Sequence, residues 1–347
     1  MRFYAGLDVS LVETSVCVVN EDGVIVREGK VPSEPEALAR WLGELGQPLT
    51  RVGLETGALA GWLAGEMSEL GVPNVVCMDA RHARAAMVAM THKTDRNDAR
   101  GLAQMLRTGW FRAVHVKTRS TMELRTLLTS RKTLVLKIGD LENQIRGSLC
   151  LFGIKLGTAK RRTFGERVRE LTAGMPRVTA IMGLLLQAHA AMLQALDRLS
   201  RMLLEVARES EVCRRLMTVP GVGAVVALTY MAAIEDPARF AKSRSVGAIL
   251  GLVPRKHQSG EVDRNGRITK TGDTEARSAL FEAAHVMLHR VTKWSALKAW
   301  ATRVAQRQGT KRATVALARK MAVILHRMWV DGTPFRWSAL GGSGAAA

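Results

Sequence analysis

The sequence predicts an α/β domain at the N-terminal end, then a helical coiled-coil linker, then a mainly helical C-terminal domain. Three observations carry this reading. Three strand-like segments and a turn open the chain, after which helical and extended segments alternate. The middle places apolar residues at alternating steps of three and four. The last third sets helical segments around Pro220-Gly221-Val222-Gly223 and around a loop crowded with arginine and lysine.

Residues 2–9 and 14–19 read as adjacent strands, Asn20-Glu21-Asp22-Gly23 as the hairpin turn, and Val24-Ile25-Val26 as the start of a third strand. Residues 34–45 have helical spacing, 51–55 form a short strand, a helix runs on to Leu70, 75–78 is another strand, and 98–106 is helical. This domain closes near Lys117, giving 1–117. In 118–212, Leu124, Leu127, Leu134, Ile138, Leu141 and Ile145 fall on heptad positions that Arg131 interrupts. A cleaner run follows in Ile181, Leu185, Ala188, Met192, Ala195, Leu199, Met202 and Val206. That spacing suits a seam between two chains or two amphipathic helices of one chain. Lys160, Arg161 and Arg162 form a basic cluster between the runs, either a nucleic-acid backbone contact or a solvated linker. In 213–338, Thr218 to Ala224 fits a helix-hairpin-helix turn in which Gly221 and Gly223 let the backbone approach a phosphate; the plain alternative is a tight helix connection. Two helices are expected at 275–291 and 311–329, and a flexible glycine-rich tail at 339–347.

Composition narrows the function. The 347 residues are 47% hydrophobic, which excludes a disordered chain, and the net charge is +20. Residues 1–118 hold 13 basic and 14 acidic side chains, whereas 119–347 hold 38 and 17. A surplus confined to one part of the chain points to a polyanionic partner. Aromatic residues are 5%, too few for a single-strand binder built on stacking. Cys17, Cys77, Cys150 and Cys213 have no metal-ligand spacing and read as buried thiols. No apolar stretch is expected to reach the length of a membrane span, so the expectation is a cytoplasmic, nucleoid-associated protein without a membrane partner.

Four acids stand out. Asp8 lies on an apolar strand, where an ionised carboxylate is unfavourable unless something compensates it. Glu55 ends another such strand before a Thr-Gly turn, and Asp95 and Asp98 sit three apart at a helix start, on one face. Each alone has a structural explanation; Asp95, for example, suits a helix N-cap. Together, in the order strand, later strand, helix start, they fit a ribonuclease-H-like site binding Mg²⁺, or Mn²⁺, through carboxylates and waters, with room for two ions. Gly-Leu-Asp-Val also opens sugar-kinase and actin-like ATPases, but no second phosphate loop of the type Asp-x-Gly-x-Thr follows.

The second candidate is Ser259 in Gln258-Ser259-Gly260. A lone serine there is ordinarily a turn residue. Its setting differs, because Arg255, Lys256, Arg264, Arg267, Lys270 and Arg277 could hold a phosphodiester and neutralise charge in its transition state. The loop lacks an obvious base, since His257, two residues away, has no fixed direction in the sequence.

Jointly these motifs resemble the DEDD transposases of the insertion-sequence one-ten family, described as bridge-RNA-guided recombinases. The resemblance spans nearly the whole chain through Gly6-Leu7-Asp8, Leu54-Glu55-Thr56-Gly57, Lys93-Thr94-Asp95-Arg96-Asn97-Asp98, Pro220-Gly221-Val222-Gly223, Gly251-Leu252-Val253-Pro254-Arg255 and Gln258-Ser259-Gly260. It implies a RuvC-like N-terminal domain in which Asp8, Glu55, Asp95 and Asp98 bind metal, and a C-terminal transposase domain in which Ser259 attacks a DNA phosphate. It also implies dimers or tetramers, donor and target DNA as substrates, and a structured non-coding guide RNA. Two other readings stay open: a RuvC-like junction nuclease without covalent serine chemistry, and a non-catalytic nucleic-acid scaffold.

Overall fold

The computed structural model describes residues 1–88 and 92–337, so the expected tail at 339–347 lies outside the described residues. The chain divides into two compact units, Met1–Arg119 and Ser120–Ala347.

The first unit contains strands β1 (Phe3–Val9), β2 (Glu13–Asn20), β3 (Ile25–Pro32), β4 (Leu49–Glu55), β5 (Val75–Met78) and β6 (Ala113–Val114), with helices α1 (Pro35–Gly43), α2 (Ala60–Glu69), α3 (Ala80–Met87) and α4 (Asp95–Thr108). The sheet order is β3-β2-β1-β4-β5-β6. β1 and β2, and β2 and β3, are antiparallel; β4 runs parallel to β1 and β5 parallel to β4. Strand alternation sorts the two faces. Phe3, Ala5 and Leu7 pack with Leu38, Leu42, Leu63 and Met67 of α1 and α2. Tyr4, with Cys17 of β2, packs on the other face against Ala99, Leu102, Ala103 and Leu106 of α4. The expected strands and helices are all present. The structure adds α3, whose start Asp79 caps by accepting from Arg81 N, and β6 at the sheet edge.

Helix α4 lies unusually close to the sheet, and two glycines make that possible. A Cβ on Gly6 would sit 2.3 Å from Ala103 N and Ala99 O, inside the helix backbone. A Cβ on Gly53, paired with Gly6 across β4 and β1, would sit 2.7 Å from Leu106 Cδ2. Thr94 caps the helix by accepting from Asn97 N, and Gly109 ends it in the left-handed conformation.

The second unit contains α5 (Arg119–Cys150, opening at the boundary), α6 (Phe164–Thr172), α7 (Pro176–Glu209), α8 (Glu211–Leu216), α9 (Ala224–Ile234), α10 (Val246–Ile249), the antiparallel pair β7 (Pro254–Ser259) and β8 (Val262–Ile268), then α11 (Thr274–His289), α12 (Ala296–Gln308) and α13 (Thr310–Asp331). The core of its C-terminal part gathers α8, α9, α11, α12 and α13 with the end of α7. A separate core joins the end of α5, α6 and the start of α7. Asp273 caps α11 and takes a 2.6 Å ion pair from Arg125 of α5. Burial opposes its charge, but the Ala276 amide and the Arg125 guanidinium prevail and hold its carboxyl below the ordinary value.

The structure departs from several expectations here. The serine loop is a β-hairpin, and α12 was not foreseen. Helix α7 buries Val178, Met182, Leu186, His189, Leu203 and Ala207 within its own chain, a stripe one residue round from the heptad run; Ile181 and Met202 of that run are 56% and 51% exposed, so of its two readings the seam between helices of one chain is the one the structure does not bear out. The same helix is long and apolar enough, by length and composition, to cross a membrane. Within the chain it runs against α5, with Arg131 donating to Ser200 Oγ at 3.1 Å and His189 Nε2 3.0 Å from Glu142 Oε1. Finally, Cys17, Cys77 and Cys213 are buried thiols as expected, whereas Cys150 is exposed.

Candidate metal centre and serine hairpin

The triplets Gly6-Leu7-Asp8 and Gly53-Leu54-Glu55 end two neighbouring parallel strands in register, Gly6 opposite Gly53 and Leu7 opposite Leu54. Alternation sends each leucine into the core beneath α1 and α2 and leaves glycine and acid on the α4 face. The glycines seat α4, and its first turn brings Asp95 and Asp98 to the same end of the sheet as Asp8 and Glu55.

Asp8 feels the charges of Asp98 and Asp95, and Glu55 those of Asp8 and Asp98. Asp8 is pushed from 3.8 up to about 6, first by burial, then by Asp98 and Asp95. Glu55 is raised by burial, then by Asp8 and Asp98. Lys93, just before the α4 cap, opposes both shifts. Sequence reasoning missed Lys93 as a member of the site, although it stands in the quoted Lys93-Thr94-Asp95 motif. The donor set is all carboxylate, partly buried and mutually repelling, which is the situation a hard divalent cation relieves. Among the described residues no three acidic, histidine or cysteine side chains close into a ready cage. Mg²⁺ keeps several of its waters and needs fewer protein ligands than such a cage supplies.

Ser259 belongs to the second unit, at the tip of the hairpin. It pairs with Val262 across a two-residue turn, Gly260-Glu261, in which Gly260 takes a φ of +53°. Every residue of β7 and β8 except Ile268 is exposed. The foot, by contrast, is locked. Gly251 and Gly272 have positive φ, and a Cβ on them would meet Thr271 O at 2.2 Å and Ile249 O at 1.8 Å. Arg277 donates to Leu250 O, Thr271 O and Thr274 Oγ1, so its guanidinium clamps the foot of the hairpin.

Strand alternation places His257 on the same face as Ser259, with Arg264 opposite His257. The imidazole lies over Gly266, whose Cβ position is 3.3 Å from Nε2, toward the foot and away from the serine. No hydrogen bond to Ser259 Oγ is present among the described residues. Of the expected cations, Arg264 is nearest the tip in register, and Arg267 is exposed on β8. Lys256 pairs with Asp263 at 3.2 Å, Arg255 reaches toward Thr269 O, and Lys270 sits at the foot with a φ of +56°.

The remaining candidates divide. Gly221 has a φ of +85°, and a Cβ there would stand 2.4 Å from Ala283 O, so close packing against α11 by itself requires a glycine at this position. Gly223 is exposed, with open space around it, and is the N-cap of α9 without a side-chain cap. In the basic cluster, Arg161 is drawn to Glu142 at 3.3 Å, while Lys160 and Arg162 are exposed. Two cavities of about 390 and 250 Å³ in the second unit are lined by neither the acids nor Ser259.

A gathered carboxylate set and a serine carried on a cationic ribbon define a nucleic-acid-processing protein. The sequence matches the family model described as Transposase IS116/IS110/IS902 family over residues 213–300, and a DEDD-type transposase model over residues 5–153. It is 31% identical to the transposase for insertion sequence element IS1111A of Coxiella burnetii, over 72% of this chain and 70% of that protein. It is also 31% identical to a probable family 20 transposase of Pseudomonas aeruginosa, over 70% and 74%. Similarity extends to the pilin gene-inverting protein of Moraxella bovis, at 30% identity over 35% of this chain and 37% of that one. The chain belongs to the IS116/IS110/IS902 family of insertion-sequence transposases.

Proposed function

We propose that this transposase cuts and rejoins DNA, with the acids of the first unit as its metal ligands and Ser259 of the second as its nucleophile. Asp8, Glu55, Asp95 and Asp98 would hold Mg²⁺ at the end of the sheet, and Ser259 is the nucleophile. The observation that carries the reading is the placement of Asp8 and Glu55 at the ends of paired strands, with Asp95 and Asp98 in the first turn of the helix packed on them. Bound there, the ion would supply Lewis-acid activation of an oxygen at phosphorus. Ser259 Oγ attacks a DNA phosphate; the new O–P bond forms as the bond to the departing strand oxygen breaks, and the hydroxyl proton leaves to a base outside the hairpin. Arg264, on the face of Ser259, neutralises charge on the phosphate oxygens, and Arg267 adds to the positive field of the ribbon. The exposed tip and the position of His257 support a base supplied from elsewhere, which suits assembly as dimers or tetramers. The exposed stripe of α7 around Ile181 and Met202 is the surface for that assembly. The basic surplus of the second unit provides for donor and target DNA and for a structured guide RNA. The inversion named for the Moraxella relative favours strand exchange over simple cleavage.

Denaturing gels of the full chain with donor DNA, guide RNA and Mg²⁺ test this. A covalent protein–DNA adduct is expected for the wild type and for neither Ser259→Ala nor Asp8→Ala. Metal-dependent cutting that persists undiminished in Ser259→Ala would replace the proposal with a junction nuclease that works without serine chemistry.

A further inference from the structure

The row of residues beneath α4 runs across four strands. Gly53 pairs with Gly6, Gly6 with Cys17, and Cys17 with Glu28. Paired residues share a face, so all four positions lie on the α4 side. Three are small enough for the helix to rest on them; the fourth carries a long charged side chain at the edge of the helix. Its carboxylate is mostly buried, with the side chain 19% exposed. It accepts two hydrogen bonds from Arg100, Nε to Oε2 at 2.9 Å and Nη2 to Oε1 at 3.0 Å, and a further one from Arg96. Arg96 adjoins Asp95, and Arg100 lies two residues beyond Asp98.

We infer that Glu28 is a positioning residue for the metal centre; this rests on the reading of the four acids as metal ligands. It has two effects. The fork of Arg100 on Glu28 fixes the rotation of α4 about its axis, which sets the direction of the Asp95 and Asp98 carboxylates. Glu28 also engages two guanidiniums within a turn of those carboxylates. Released, Arg96 and Arg100 would compete with a divalent cation for the same oxygens. The Gly6 contact fixes how near α4 comes, and Glu28 fixes how it is turned. Outer partners of this kind govern metal affinity without touching the ion.

The test is Mn²⁺ binding to the full chain, read by electron paramagnetic resonance, with urea unfolding of the metal-free protein measured beside it. Glu28→Gln should weaken Mn²⁺ binding by about tenfold, while the hydrogen-exchange protection of β1 and β4 stays near that of the wild type. If Glu28→Gln does not fold, Arg100→Lys, which keeps the charge and loses the fork, should weaken binding in the same direction. Asp8→Asn is the reference. Mn²⁺ binding that depends on Asp8 but is unchanged in the Glu28 and Arg100 variants overturns the positioning role alone. Wild-type binding that ignores Asp8→Asn overturns the metal reading, and this inference with it.

Discussion

The two candidate sites are built in opposite ways. The acids of the first unit are embedded in packing: Asp8 and Glu55 end central strands, and Asp95 and Asp98 open a helix that meets β1 backbone to backbone at Gly6. Ser259 stands at the exposed end of a two-stranded ribbon fixed only at its foot. An isolated hairpin is marginally stable in water, so the ribbon depends on the clamp formed by Gly251, Gly272 and Arg277. The difference teaches where each function draws its geometry. Carboxylates must be held together against their own repulsion, and only a rigid scaffold does that. A nucleophile that meets a phosphate on a large polymer gains from being presented in the open.

The comparison breaks first at Gly6. Because the added methyl of Gly6→Ala meets backbone atoms, no side chain can yield, and α4 must lift from the sheet. The expected loss is on the order of 3 kcal/mol or more. Gly53→Ala meets the movable end of Leu106 and should cost less, about 1–2 kcal/mol. Hydrogen exchange at the β1 and α4 amides measures both. Equal, small losses in the two variants would show that the helix does not depend on this contact.

The same pair of glycines shows how much of the site was legible. Two triplets of glycine, leucine and acid stand at the ends of two apolar strands, and strand alternation alone puts both acids on one face. The acids could therefore be named from the sequence, along with the strands that bear them. The hairpin could not. Pro254 to Ser259 and Val262 to Ile268 have no apolar face, so alternation gives no signal, and the pairing is held by glycine geometry at the foot. Helix α7 was legible as a helix but not in its orientation, since it carries two adjacent apolar stripes and spacing does not say which one its own chain covers. The packing of Gly221 against α11 was not legible, because a glycine that lets a helix approach and one that lets a phosphate approach look the same in sequence.

A subtler break concerns Asp8. Its pKa rises from 3.8 to about 6 on folding, so between those values the folded chain keeps a proton that the unfolded chain has lost. Stability of the metal-free protein therefore falls as pH climbs from about 4 to 6 and stays lower above. Asp8→Asn removes that penalty and should stabilise the metal-free first unit at pH 7.5 by about 1 kcal/mol, reduced from the full shift by partial solvent screening. The gain should vanish when Mg²⁺ is added, because the wild type then recovers it. Unfolding with and without Mg²⁺, at pH 4 and pH 7.5, measures both terms. A destabilised Asp8→Asn at pH 7.5 without metal would mean that the carboxylate is a structural partner and not a group held ready for a cation.

The smallest expected effect sharpens the comparison most. Ser259→Ala should leave the stability of the second unit within about 0.5 kcal/mol of the wild type. The side chain is exposed, no hydrogen bond reaches its oxygen among the described residues, and Gly260 rather than Ser259 takes the left-handed turn position. Gly260→Val is the contrasting variant: its β-branched side chain would have to adopt a φ of +53°, so the turn should distort and lower protection of the hairpin amides. If Ser259→Ala matched Gly260→Val in lost hairpin protection, the serine would be holding the turn together, and its place at the tip would have a structural cause. Protection unchanged in Ser259→Ala leaves chemistry as the reason for a hydroxyl at that position.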